Sequence, residues 1–373
     1  MLKKILSTLL CLALLPCCAL TESAQAAGED LGFELLRALY TGGENVMLSP
    51  ASLTTALGMA AEGAAGETLE QLLGALGAQD VSALKDAVPE EIKSANAAFA
   101  APELTLKGDY VERVNENYGA EWFALDADVV EKVNAWVKEH TDGLIDRLFS
   151  EAPDPQTGLI LVNAIAMDEA WASPFEAYNT VGDSFRAPQG DVDVEMMYQQ
   201  ADFDYVERDG VQIVRLPYAD SVLSMWIALP GEGVGLDGLL DALAGQGMDY
   251  LKGGAEARRV DLYLPKFDLT TENSLADALK ALGVEAPFGD GADFSGISDV
   301  PVKIDGILQK VRVQLDEEGT EAAAATAVSV ACMAMPLPED MVEVRVDRPF
   351  AFIVADGESG SVCFAGAIGN PAA

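Results

Sequence analysis

The alternation of apolar and polar positions divides the chain into a helical first part and a longer part made mostly of strands. Leu31, Phe33, Leu35, Leu36 and Leu39 recur at helical spacing and predict a helix over 29–41, ended by Gly42 and Gly43. Residues 51–61 are small and apolar nearly all round, with Pro50 at their head, so this helix is expected to be packed on every side. Further helices are predicted over 68–76, 106–118 and 128–149, the last two joined by a strand at 122–125. Residues 95–100 read as a strand. The run 158–167 is continuously rather than alternately apolar, which implies burial on both faces in the middle of a large sheet. From 191 to 229 the pattern is one of short strands separated by turn signals. Short helices at 236–243 and 274–282 flank a cleanly alternating strand at 260–264. Strands at 311–315, 342–346, 350–354 and 361–364 close the chain. No repeat or linker divides it, so the expectation is one α+β unit.

With 373 residues, half of them hydrophobic, the chain has enough apolar surface for a large core. The first stretch stands apart from that core. Lys3 and Lys4 precede an apolar run over 5–20, and Ala24-Gln25-Ala26 supplies a small-residue cleavage site, so 1–26 reads as a secretory signal and 27–373 as the mature domain. The run is short for a spanning helix. The minor alternative is a lipid anchor at Cys17 or Cys18, holding the protein at the cell surface. Loss of the signal leaves Cys332 and Cys363, too few for a disulfide framework, and Cys363 reads as a buried small hydrophobe.

The formal net charge of −38 argues against nucleic-acid or anionic-membrane partners. The single histidine, His140, falls near a predicted helix C-terminus, where a cation is favourable. With no second histidine and no cysteine pair at ligand spacing, no metal or other cofactor is expected. No nucleophile elbow or phosphate-binding glycine loop is present, and no pair stands out among the 61 acidic residues. The chain does not read as an enzyme.

One segment departs from ordinary core patterning. After the strand at 311–315 come three acids, Asp316-Glu317-Glu318, then Gly319, Thr320 and Glu321. Residues 322–335 then carry no charge, proline, glycine or aromatic, until Pro336 and Pro338 break the pattern. Alanine favours helix, but Thr326, Val328 and Val330 favour strand, and fourteen residues is long for a core strand. Small side chains at every position suit a strand that must slide between two strands already packed.

The run Glu317-Glu318-Gly319-Thr320-Glu321-Ala322-Ala323-Ala324-Ala325-Thr326 resembles the hinge of inhibitory serpins. Six more matches fall in family order. They are 45–52 with Ser49-Pro50 and Ser52; Asn163 in 161–165 with Trp171 and Pro174-Phe175; 264–267; 292–296; 347–350; and the ending 364–371. The resemblance implies a single domain with three sheets, about nine helices and an exposed reactive-centre loop, here about 317–340. It implies a monomeric suicide-substrate inhibitor whose partner is a target serine protease, held in a covalent complex. The protease cuts the loop, and the freed loop inserts into the central sheet before the ester hydrolyses. Counting from Gly319, the reactive bond falls at Met333-Ala334, with Cys332 and Met335 as alternatives because the loop is several residues longer than usual. Ser49, Ser52, Asn163 and Trp171 take the family's shutter and breach places. Gln309 stands where the family usually has histidine, which leaves Ser49 or Ser52, Gln309 and Asn163 able to form one linked network.

Overall fold

The computed structural model describes residues 28–85, 87–89, 91–154, 157–320, 341–357 and 359–373. Its first helix, α1 (Glu29–Leu39), buries the predicted leucine stripe. After strand β1 (Val46–Leu48), α2 (Pro50–Ala61) starts where the Ser49 hydroxyl accepts from the Ser52 amide at 3.2 Å and Pro50 takes the first turn. All twelve residues of α2 are buried, as its pattern requires. Then follow α3 (Gly66–Ala75), β2 (Lys93–Ala100), α4 (Gly108–Tyr118), β3 (Glu121–Ala124) and α5 (Val129–His140).

The helix expected over 128–149 stops at His140. Asp142 and Gly143 adopt positive φ (51° and 84°), and the Gly143 amide bonds back to the Lys138 carbonyl at 2.8 Å, closing the helix C-terminus. The apolar residues that suggested continuation, Ile145, Leu148 and Phe149, pack onto the same sheet from an irregular strap instead.

Strands then dominate: β4 (Leu159–Ala166), β5 (Glu169–Ala170), β6 (Val181–Ala187), β7 (Gly190–Arg208), β8 (Val211–Pro217) and β9 (Leu223–Pro230). β7 is one strand of nineteen residues where short strands were expected. Its first part pairs with β6, its middle with β10 and its end with β8, so one ribbon serves three neighbours. After α6 (Gly235–Lys252) come β10 (Glu256–Pro265), β11 (Phe267–Ser274), α7 (Ala276–Ala281) and β12 (Gly306–Leu315). The two-residue β13 (Gly319–Thr320), β14 (Met341–Arg345), β15 (Phe350–Asp356) and β16 (Val362–Ile368) complete the set.

The described strands form three sheets, the largest of nine strands. The five-stranded sheet, in the order β11-β12-β4-β2-β3, is the one that matters for the candidate site. β4 lies at its centre with every residue buried, as the continuous apolar run predicts. It pairs antiparallel with β2 and parallel with β12, over Gly306–Arg312 against Ile160–Ala166. α2 packs against one face, and α5 with the strap covers the other. Seven α-helices and three single-turn 3-10 segments occur among the described residues, against the nine or so that the resemblance implied.

Candidate functional site

The C-terminal ends of β4 and β12 lie side by side, and the chain past each turns into the same place. Beyond β12, the Asp316 side chain accepts from the Glu318 and Gly319 amides (2.9 and 3.2 Å), and the Asp316 amide donates to the Gly319 carbonyl at 3.0 Å. This tight turn folds Gly319 and Thr320 back against β5, antiparallel, with Gly319 opposite Ala170 and Thr320 opposite Glu169. A Cβ on Gly319 would lie 2.7 Å from the Ala170 Cα and also strike the Glu169 carbonyl, so the close approach needs glycine.

The turn is clamped from three sides. The Trp171 and Phe175 amides donate to the Glu318 and Glu317 carbonyls (2.9 and 2.8 Å), and Trp171 Nε1 donates to the Asp316 carbonyl at 3.0 Å. Glu317 accepts from the Thr180 hydroxyl at 2.6 Å and pairs with Lys266 at 2.9 Å. Burial alone would raise the Glu317 carboxyl, but the bonds from Lys266 and Thr180 outweigh it and hold the group below its ordinary range. Lys266 is correspondingly held above its ordinary range: desolvation lowers it, and the Glu317 contact more than reverses that. Thr320 is fully buried, its hydroxyl 2.8 Å from that of Tyr218, whose ring stacks on Trp171 with centroids 4.6 Å apart. Burial pushes the Tyr218 phenol well above its usual range, so the hydroxyl stays neutral. The start of the predicted exposed loop, Glu317 to Thr320, is therefore docked rather than free.

In the middle of the same seam, Gln309 and Asn163 are register partners. The expected continuous network is not formed. Gln309 turns to α2: its Oε1 accepts from the Ser49 amide (2.8 Å), and its Nε2 donates to the Ser49 carbonyl (2.9 Å) and the Ser52 hydroxyl (3.3 Å). Asn163 turns the other way, donating to Asn96 Oδ1 at 2.6 Å and Ser94 Oγ at 3.4 Å on β2. Its own Oδ1 is buried with no hydrogen-bond partner among the described residues. Each side chain thus bonds partners on its own side of the seam.

Glu321, Ala322, Ala323, Ala324, Ala325, Thr326, Cys332, Met333, Ala334 and Met335 lie outside the described residues, as do residues 1–26. Of the other sequence expectations, His140 is the last residue of α5. Its Nδ1 lies 2.9 Å from the Trp136 carbonyl, and Nε2 lies 3.1 Å from Glu121 on β3. Cys363 is fully buried, and desolvation pushes its thiol up to about 12. No group of His, Cys, Asp and Glu able to hold a metal occurs among the described residues.

Sequence reasoning gave no role to Lys266, Tyr218, Thr180 or Asn96. Lys266 carried one faint signal. It is a lone base just after the strand predicted at 260–264, in a chain where an acid run elsewhere lacks a counter-charge.

A family model described as "Serpin (serine protease inhibitor)" matches residues 26–371. Iripin-2 of Ixodes ricinus is 35% identical, the match covering 96% of this chain and 96% of the tick protein. Among solved structures, the thermophilic serpin Tengpin in its native state superposes with a TM-score of 0.84 at 28% identity, covering 93% of this chain and 94% of that one. Human thyroxine-binding globulin, complexed with thyroxine, gives 0.82 at 24% identity, over 94% of this chain and 98% of that one, a likeness of fold alone.

Proposed function

This chain belongs to the serpin family, and we propose on that premise that it is an irreversible suicide-substrate inhibitor of serine endopeptidases, acting as a secreted monomer. The protease's serine oxygen attacks the carbonyl of the residue before the reactive bond, Met333 in the register adopted here. The bond to Ala334 breaks and the new amine leaves with the proton, so an ester joins the two proteins. The freed segment then enters the seam between β4 and β12 as an added strand, carrying the ester-bound protease with it before water can release it. An apolar residue at the cut suits elastase-, chymotrypsin- or subtilisin-like enzymes, since no Lys or Arg lies between Arg312 and Arg345.

The observation that carries this reading is the seat of Thr320. A small uncharged residue already sits as a buried strand residue at the head of the seam, and beyond Glu321 the residues 322–331 are small and uncharged as well. Insertion there continues a pairing already begun. A charged or bulky residue at that seat would favour a binding protein that is merely cut.

The test is to mix the protein with elastase and with subtilisin and run denaturing gels. A band at the summed mass is expected. Cleavage alone, with no rise in thermal stability of the cut protein, overturns the proposal in favour of a non-inhibitory binding protein. The mass of the released C-terminal peptide fixes the register among Cys332, Met333 and Met335.

A further inference from the structure

The outer face of the seam carries a fastening that neither the family resemblance nor the hinge explains. Residues 141–154, the strap after α5, are anchored on the β2/β4 side. Ile145, Leu148 and Phe149 pack with Ala97 and Phe99 of β2 and with Ile160, Val162 and Ala164 of β4, and the Phe149 and Phe99 rings meet edge-on at 5.5 Å. The Leu148 and Phe149 amides donate to Asn134 Oδ1 on α5 at 2.7 and 3.0 Å. Yet two carbonyls of this strap are held from the opposite side of the seam. Arg312 NH1 on β12 donates to the Leu144 carbonyl at 2.8 Å, and Lys310 Nζ donates to the Arg147 carbonyl at 2.6 Å.

Arg312 is pre-aimed for this contact. Its Nε and NH2 form a two-pronged bridge to Asp268 on β11, both at 3.0 Å, and NH2 also meets Gln314 Oε1 at 3.0 Å. The planar guanidinium thus spends one edge on β11 and the other on the strap, and its two parallel bonds to Asp268 fix its direction more firmly than the Lys310 ammonium, 3.6 Å from Glu272 on β11, is fixed. A single side chain ties β11, β12 and the strap together across the line where β4 and β12 must part. Adjacent strands lie about 4.8 Å apart, so a strand entering between them moves β12 away by about as much again. A hydrogen bond of 2.8 Å between Arg312 and a strap fixed to β4 does not survive that displacement.

We propose that Arg312, seconded by Lys310, is the rate-setting positioning residue for opening the central sheet: it holds the strap across the seam, and its release from the Leu144 carbonyl precedes strand entry. This rests on the loop-insertion reading above. The docked hinge decides where insertion starts, and the Arg312 clasp decides how soon the seam yields.

The test avoids proteases, so that its failure and that of the inhibitor reading can be told apart. The intact protein is incubated with a synthetic peptide of the sequence of residues 320–333, and annealing is followed by the rise in thermal midpoint and the shift on native gels. R312Q is expected to anneal about tenfold faster than the wild type, R312K about threefold faster, and R312Q/K310M faster than either. In the same variants the amides of Leu148 and Phe149 should keep their protection from hydrogen exchange, since Asn134 rather than Arg312 holds them. Variants that anneal within twofold of the wild-type rate overturn the clasp and leave the inhibitor reading standing. Acceleration accompanied by lost protection at Leu148 and Phe149 also overturns it, because Arg312 would then only maintain the strap's fold. A wild-type protein that never anneals the peptide overturns the insertion reading and the clasp with it.

Discussion

The head and the middle of the β4/β12 seam are built on opposite principles. At the head, groups from both sides meet: Trp171 and Phe175, just past β4, grip the Asp316–Glu318 turn that follows β12, and Lys266 and Thr180 close on Glu317. In the middle, the polar side chains of facing residues turn apart, Gln309 to α2 and Asn163 to β2. The head is cross-linked by side chains as well as by loop backbone bonds, whereas the middle relies on the backbone ladder, and parallel pairing is slightly the weaker kind. Once the head is released, little but that ladder and the outer clasp resists separation. A strand arriving from the head therefore meets its main side-chain obstacle first.

The contrast breaks most sharply at Thr320. Thr320→Arg places a long cation where the native side chain is fully buried against Tyr218, so the charge must be stripped of water to stay there. The fraction of protein cut rather than trapped by a susceptible protease should rise at least about tenfold, read as the ratio of cleaved to summed-mass bands. Unchanged trapping would mean that the head is not the entry point.

Removing the middle's tie to α2 comes next in size. Gln309→Ala strands the Ser49 amide in a buried site and deletes two donated bonds, at a cost of about 2 kcal/mol of native stability. The thermal midpoint should fall while trapping at saturating protease continues. If trapping fails as completely as in Thr320→Arg, the two regions are not functionally distinct.

The head's ion pair gives a smaller effect with a defined pH window. Glu317 is held below its ordinary value, so its contribution is fully present above the usual glutamate range and is lost as pH falls through the lower folded value. Lys266 is held above its ordinary value, so the contribution persists through neutral pH and is lost only as pH rises through that raised value. Glu317→Gln should therefore cost about 1 kcal/mol, allowing for the solvent that reaches Lys266, with little change across the neutral range. The difference from wild type should shrink below about pH 4.5. A difference that grows on acidification would contradict the sign of the shift.

What the sequence made legible follows from how local each signal was. The apolar faces of 51–61 and 158–167 declare burial by themselves, and α2 and β4 lie as those faces demand. Of the hinge, the acid run ended by Gly319 was visible in the sequence but its docking against Ala170 and Trp171 was not, and the small residues 322–335 lie outside the described residues. The end of α5 was misread because Ile145, Leu148 and Phe149 continue an apolar spacing that an irregular strap satisfies equally well against the same sheet. Asp142-Gly143 was the stop signal. The bonds of Gln309 to Ser49 and Ser52 were anticipated through the resemblance, but the partners of Glu317 and Arg312 were not legible at all. Each is chosen among many candidates by strand register, and register depends on the whole sheet rather than on any window of sequence.

The smallest effect is the most discriminating. Gln309 and Asn163 are direct neighbours across the seam, and neighbouring residues in one hydrogen-bonded network typically couple by about 0.5–3 kcal/mol in a double-mutant cycle. These two share no bond, because Asn163 donates to Asn96 and Ser94 while Gln309 is spent on Ser49 and Ser52. The cycle between Gln309→Ala and Asn163→Ala should then give less than about 0.5 kcal/mol, against about 1 kcal/mol for Gln309→Ala with Ser52→Ala. Equal couplings would mean that the side chains bridge the seam after all, as a histidine at 309 is expected to do, and that the middle resists opening as the head does. A near-zero value leaves the backbone ladder as the only tie across the middle of the inner face, which is the condition under which the outer clasp sets the opening rate.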